Sequence, residues 1–389
     1  MNLSGVSVVR AAREKLMFYK EIAGNAKSAI GALITGEIDI DYPGTGVKLS
    51  FSNVPLKKLL NMIVTDGSAK TLRPRKVYGL PTMLQIEPSS LCNLKCPACA
   101  TSRGLKRTAG LMEFGVFKKI VDEIGDYVFV MFFFGTGEPF LHPQAYNMIR
   151  YAKEKGIKVI SSTNGHSFSN VQAAENLVTS GIDVLTVSMD GIIQSTYEKY
   201  RRGGDIEKVK TSVKNIVETK ALLKSKTPLV ILQLIVMSHN INDMAGYEDF
   251  ARSLGADAII FIKFNTVFDE SMEAPLNDFL PSDNKLRRFR YDKNDKEEQT
   301  SVNGCTPLWN WVSIHSNGNV APCCFDTQES HVLGNLKESA FKDIWNNEKY
   351  LRLRSKVKHN DIYDLLCSKT VCAYKNGRQG VISVKYLDN

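Results

Sequence analysis

Val128-Phe129-Val130-Met131-Phe132-Phe133-Phe134 runs directly into Gly135-Thr136-Gly137-Glu138-Pro139. An unbroken apolar run rich in valine and phenylalanine suits a strand buried on both faces, as in parallel sheets. The glycines behind it end the strand and let backbone groups come close to a ligand. The same strand, loop and helix order extends to either side. The pattern predicts strands near 82–87, 128–134, 157–161, 183–188, 229–236 and 258–263. Helices are expected near 114–124, 143–154, 171–180, 205–224 and 243–254. Alternation of this kind makes parallel βαβ units, and six of them build an incomplete α/β barrel, a partial (β/α)6 barrel.

The barrel is expected over residues 81–265. Residues 1–80 form an N-terminal α+β extension with twice as many basic as acidic residues. Val8 to Gly31 carries a loose helical pattern. Ile38 to Tyr42 and Val47 to Phe51 alternate around the turn Pro43-Gly44-Thr45-Gly46, which reads as a hairpin. A helix over Pro55 to Val64 and a basic linker, Arg73-Pro74-Arg75-Lys76, complete the extension. Residues 266–300 read as a linker, because Asp283 to Gln299 is dense in charge and poor in aliphatic residues. Residues 301–389 form a small C-terminal segment that holds five of the eight cysteines.

The chain of 389 residues carries a net charge of +9. No apolar run approaches the roughly 20 residues of a membrane span, and the N-terminus has no apolar core before a cleavage site. The expectation is a cytoplasmic protein whose basic N-terminal segment can lie against an anionic membrane surface. The basic residues fall in no nucleic-acid recognition module, so nucleic acid is not an expected partner.

Cysteines fall into two sets. Cys92, Cys96 and Cys99 have the spacing C-x3-C-x2-C just behind the first strand. Three thiolates in one loop favour an iron–sulfur cluster over structural zinc, which takes paired C-x2-C units, and over unrelated buried cysteines. If no fourth protein ligand joins these three, one iron keeps an open position for a substrate.

These residues resemble the radical S-adenosylmethionine (SAM) superfamily, whose hallmark is C-x3-C-x2-C after the first strand. Gly135-Thr136-Gly137-Glu138-Pro139 is similar to the family's glycine-glycine-glutamate-proline motif, and the resemblance implies that it binds the SAM amino group. Ser188-Met189-Asp190-Gly191 resembles the motif whose serine contacts the ribose. Asn164 lies at a third strand end, and Arg201 is the candidate partner of the SAM carboxylate. The family's bulky residue before the third cysteine is Ala98 here, which moves the expected adenine contact to Val236 and Met237. Taken alone, each motif is also an ordinary turn.

Cys305, followed later by Gly318-Asn319-Val320-Ala321-Pro322-Cys323, resembles the opening of the SPASM domain found in many radical SAM enzymes. With Cys367 and Cys372 downstream, the resemblance implies one auxiliary [4Fe-4S] cluster on Cys305, Cys323, Cys367 and Cys372, as in the smaller twitch domain. Cys324 is an alternative to Cys323, and a zinc ribbon is the alternative to the cluster.

The resemblance implies reductive cleavage of SAM to a 5′-deoxyadenosyl radical that abstracts hydrogen from a C–H bond. It also implies SAM and two [4Fe-4S] clusters as cofactors, and an electron donor such as flavodoxin or ferredoxin. A net oxidation needs a base, for which Asp190 and Glu87 are the candidates. His142, His166, His239 and His315 read as structural or solvent-facing. A small or lipid-linked substrate is favoured over a peptide, because residues 1–80 begin with a helix and so match a leader-binding module poorly. An iron–sulfur electron carrier and a zinc-binding interaction protein are the non-enzymatic alternatives.

Overall fold

The computed structural model describes residues 31–41, 47–70, 72–264, 276–287, 305–362, 365 and 380–387. The expected N-terminal helix, the hairpin turn, most of the charged linker, Cys367 and Cys372 lie outside the described residues. Six strands form the centre of the fold: β3 (Met83–Ile86), β4 (Val130–Phe133), β5 (Lys158–Thr163), β6 (Val184–Ser188), β7 (Leu229–Val236) and β8 (Ala258–Lys263). They lie in chain order and every neighbouring pair is parallel. Each agrees with its sequence expectation to within about two residues, the usual uncertainty of an element boundary.

Helices Phe114–Ile124, Ala145–Glu154, Val171–Thr179, Ile206–Leu222 and Tyr247–Ser253 fill the crossovers. Phe117, Ile120 and Ile124, three to four residues apart, are all fully buried, so one helical stripe faces the sheet. Asp205 caps the longest of these helices, accepting from Glu207 N and Lys208 N. A short helix, Gln194–Tyr200, is an addition to the expected set.

The hairpin forms as expected, with β1 (Ile38–Asp41) antiparallel to β2 (Lys48–Phe51). Val47, Leu49 and Phe51 bury against residues in the first half of the central strands, including Phe129, Val130, Val184, Ile231 and Ala258. The Phe51 ring meets the Phe129 ring edge-on at 5.3 Å. The described part of the extension therefore plugs the N-terminal end of the barrel and leaves the C-terminal strand ends to the site.

The cysteine-rich segment is less separate than its sequence suggests. β9 (Trp311–Ile314) adds parallel to β3, and β10 (Asn319–Ala321) and β11 (Gly334–Asn335) continue the sheet beyond it. β12 (Val381–Tyr386) adds antiparallel to β8 at the other edge. Among the described residues the sheet thus has ten strands, and residues 301–389 supply both of its margins. Val312 and Ile314 join the main apolar core, and Trp311 stacks on Phe132 at 4.5 Å, which is why this short segment takes its register from β3. No helix among the described residues is long and apolar enough to cross a membrane.

Candidate active site

β3 ends at Ile86, and the cysteine loop follows across the C-terminal strand ends. The loop is pinned by backbone bonds, Lys95 N to Arg202 O at 3.0 Å and Cys99 N to Cys96 O at 3.1 Å. Each thiol is met by a different segment. Asn164 Nδ2, after β5, lies 3.9 Å from Cys92 Sγ. Arg201 Nη1 lies 4.0 Å from Cys96 Sγ. Cys99 Sγ lies 3.7 Å from Thr136 O, after β4. Burial pushes the Cys96 thiol up to about 11 even though Arg201 opposes it, and it raises Cys92 as well. Buried thiols of this kind need a metal to hold them as thiolates.

Gly137 shows how closely the next loop fits. A Cβ there would lie 2.4 Å from Ser89 O and 2.5 Å from Leu91 O, so only glycine lets this turn rest against the cysteine loop. Glu138 N donates to Leu91 O at 2.8 Å. The Glu138 side chain turns inward and accepts from Asn164 N at 2.8 Å and Thr163 Oγ1 at 2.7 Å. Full burial pushes its carboxyl up to about 7. Its role in these contacts is to tie the β4 loop to the β5 end. Pro139 opens a short 3-10 turn behind it, and Gly135 packs against the Glu87 side chain.

Asp190 and Arg201 pair at 2.5 Å, with the Asp190 side chain fully buried. Asp190 also accepts from Ile235 N at 2.7 Å. It is committed to holding Arg201 and the β7 end, which is the work of a positioning residue. Arg201 spends Nε on this pair and turns Nη1 toward the cysteine loop. Ser188 is buried at the β6 end, within 3.4 Å of Gln233. Met237 is fully buried in one apolar cluster with Cys96 and Ala98, so the β7 end does lie beside the alanine.

Glu87, a candidate base, is equally committed. It accepts from Arg107 Nη2 at 2.7 Å, from Thr136 N at 3.0 Å and Oγ1 at 2.7 Å, and from Ser316 N at 3.0 Å. Burial pushes its carboxyl up, but Arg107 and then His315 pull it down further, to about 2. A carboxylate held there is a poor proton acceptor near neutral pH. Arg107 had no signal in the sequence: it sits in an unpatterned Lys106-Arg107-Thr108 stretch. In the fold it is buried and bridges Glu87 to Thr327 O at 2.7 Å, joining the barrel to the cysteine-rich segment.

Three of the four histidines singled out in the sequence are hydrogen-bonded within the fold. His142 Nε2 lies 2.8 Å from Met112 O, and its Nδ1 accepts from Gln144 N at 3.0 Å. His166 Nε2 accepts from Asp205 N at 3.0 Å, and His315 Nδ1 lies 2.9 Å from Glu329 Oε1. His239 stands edge-on to Phe279.

Beside the loop is a cavity of about 310 Å3, bounded by the ends of β3, β4 and β9. Cys99 and Cys324 both line it, with Gln85, Ser313 and Thr136 among its polar walls and Phe134 and Phe325 among its apolar ones. Cys324 is exposed, Cys323 is half-buried, and Cys305 is buried. Three sulfur donors at the loop suit an iron–sulfur cluster in their chemistry, as do Cys305 and Cys323 in the second segment. The glycine-lined strand ends suit the nucleotide.

The comparisons agree with this geometry. The model of the Radical SAM superfamily matches residues 86–242, and that of the SPASM iron–sulfur cluster-binding domain matches residues 305–373. The chain is 25% identical over 301 residues to the tungsten-containing aldehyde ferredoxin oxidoreductase cofactor-modifying protein of Pyrococcus furiosus, covering 70% of this chain and 82% of the relative. It is 23% identical over 341 residues to the AdoMet-dependent heme synthase of Methanosarcina barkeri, covering 79% and 95%. Among solved structures, Streptococcus suis SuiB bound to SAM shares the fold, with a TM-score of 0.56 at 18% identity over 78% of this chain and 74% of that one. SAM, its [4Fe-4S] cluster and auxiliary iron–sulfur chemistry are accordingly the cofactors of this protein. The chain belongs to the radical SAM superfamily, as an enzyme with a SPASM domain in its C-terminal region.

Proposed function

We propose that this enzyme oxidises a freely diffusing small molecule held between Cys99 and Cys324. The cavity carries the reading. It lies between the SAM cluster loop and the auxiliary segment, and its volume of about 310 Å3 is at the lower end of small-ligand pockets. The names of the two relatives point the same way, to a cofactor and to heme. The basic extension covers the opposite end of the barrel, so a membrane contact there would not deliver a lipid-linked substrate to this cavity.

When bound, SAM with the cluster at Cys92, Cys96 and Cys99 supplies hydrogen-atom abstraction, and one auxiliary cluster on Cys305, Cys323, Cys367 and Cys372 supplies an electron acceptor. The protein supplies placement. Gly135, Gly137 and Pro139 shape the bed for the methionine end of SAM. Asn164 and Ser188 present polar groups at neighbouring strand ends. Arg201, held by Asp190, offers its remaining N–H groups to a carboxylate. Met237, packed with Cys96 and Ala98, backs the adenine side of the site. Gln85, Ser313 and Thr136 orient the substrate, while Phe134 and Phe325 exclude water from it. Glu87 fixes Thr136 and Ser316 and acts on the reaction through them. Lys95, Arg103 and Arg202 rim an open cleft on the outer side of the cysteine loop, and their positive charge suits an acidic electron donor such as flavodoxin or ferredoxin.

The reconstituted enzyme, given SAM and a strong reductant, is expected to release 5′-deoxyadenosine, and a low-molecular-weight ultrafiltrate of cell extract is expected to accelerate this. Phe325→Ala is expected to raise the KM for the active component and leave substrate-free SAM cleavage unchanged. Acceleration confined to the macromolecular fraction would overturn the small-molecule reading.

A further inference from the structure

Glu348-Lys349-Tyr350-Leu351-Arg352-Leu353-Arg354-Ser355-Lys356-Val357-Lys358 looks like a solvated basic helix, and residues 348–358 are helical. Its inward stripe, however, is Tyr350, Leu353, Arg354 and Val357. An arginine stands where the pattern calls for an aliphatic residue, and it is fully buried. Its Nε donates to Leu308 O at 2.9 Å and its Nη1 to Asn346 Oδ1 at 2.9 Å. The guanidinium carbon lies 4.4 Å from the Trp345 ring centre and 4.6 Å from that of Tyr350.

Two polar groups of this cluster have no hydrogen-bond partner, Arg354 Nη2 and the Tyr350 hydroxyl. Among the described residues no carboxylate pairs with Arg354. Two aromatic faces offset part of the cost of burying a cation, but they neither neutralise it nor satisfy its last N–H group. A cation held in this way calls for an anion. The surrounding chemistry says which one. Cys323 lies within electrostatic reach of Tyr350. The carbonyl that Arg354 grips belongs to Leu308, three residues beyond Cys305. Cys305, Leu308, Trp345 and Tyr350 are all buried.

We propose that Arg354, with the Tyr350 hydroxyl, is the counter-charge of the auxiliary iron–sulfur cluster and raises its reduction potential. A cubane on four thiolates carries net negative charge, which grows by one on reduction. A fixed cation beside it stabilises the reduced form, and charge and hydrogen bonding are the terms that set such potentials. A higher potential makes the cluster a better electron acceptor, which is the part played by this cluster in the proposed oxidation; that functional meaning rests on the reading above, whereas the potential itself does not.

The test is a redox titration, followed by electron paramagnetic resonance, of full-length enzyme with both clusters in place. The auxiliary signal is the one that SAM does not perturb. Arg354→Met is expected to disfavour reduction about tenfold, equivalent to 59 mV for one electron. Arg354→Lys is expected to recover most of the shift, and Tyr350→Phe to lower the potential by less than Arg354→Met. An iron-replete Arg354→Met protein titrating like the wild type would overturn the assignment. Should Arg354→Met lose its auxiliary iron, wild-type potentials in both Arg354→Lys and Tyr350→Phe would overturn it equally. Wild-type protein that binds iron only at the first cluster would instead remove the auxiliary site on which both readings depend.

Discussion

Arg107 Nη2 and Glu87 Oε1 meet at 2.7 Å, with each side chain only 2% exposed. One residue follows the cysteine loop and the other precedes it, and through Thr136, Ser316 and Thr327 the pair joins the SAM side of the molecule to the auxiliary side. Breaking a buried pair strands a charge and typically costs on the order of 3–5 kcal/mol. Glu87→Gln and Arg107→Met are each expected to destabilise the protein by about that much in urea unfolding. The double variant is expected to lose markedly less than the sum. Because Glu87 positions rather than accepts a proton, Glu87→Gln is expected to lower kcat while leaving the limbs of the pH–rate profile where they are. Loss of one limb would return Glu87 to the role of base.

Glu138 gives a pH dependence of the opposite sense to a salt-bridged carboxylate. Burial lifts it from 4.5 to about 7 in the fold. A raised folded-state value means that the protonated form is favoured by folding. Its contribution is full below pH 4.5 and is lost as pH rises through about 7. Metal-free protein is therefore expected to lose stability across that window, and Glu138→Gln is expected to flatten the loss. A wild-type profile in the Gln variant would mean that another group is responsible.

Gly137 and Gly115 make a matched pair of substitutions. A Cβ on Gly137 collides with the backbone of Ser89 to Leu91, whereas one on Gly115 meets nothing within 4 Å. Gly137→Ala is expected to abolish SAM binding in equilibrium dialysis, because backbone cannot yield as a side chain can. Gly115→Ala, in the helix Phe114–Ile124, is expected to leave binding intact and to stabilise the fold by up to about 1 kcal/mol.

Cys323 and Cys324 are adjacent in sequence but differ in surroundings, the first half-buried and the second exposed and lining the cavity. Cys323→Ala is expected to remove about four iron atoms from the reconstituted enzyme and Cys324→Ala none, because a cubane needs its full set of thiolates. Equal loss in both variants would mean that the two sulfurs share the cluster.

The six-stranded core was legible because its signal is local. Buried strands such as Val128 to Phe134 declare themselves within a few residues, and so do the loops behind them. What escaped the sequence is what depends on distant partners. Trp311–Ile314 is too short to announce itself as a strand, and only Phe132 and β3 give it a place. Lys106-Arg107-Thr108 reads as solvent-facing until Glu87 and Thr327 close around the arginine. Arg354 is disguised in the same way, among lysines that do face water. Asp190 and Glu87 lie just beyond the ends of their strands, and their partners, Arg201 and Arg107, decide what they do there.

The two margins of the six-stranded core, β3 and β8, are covered by β9 and β12, which come late in translation. Until Val381–Tyr386 leaves the ribosome, the N–H and C=O groups of Ala258–Lys263 stay open along one side, a template for any neighbouring nascent chain. A polypeptide cut short before residue 381 would keep that seam permanently unzipped, so premature termination in this gene would yield a self-associating product.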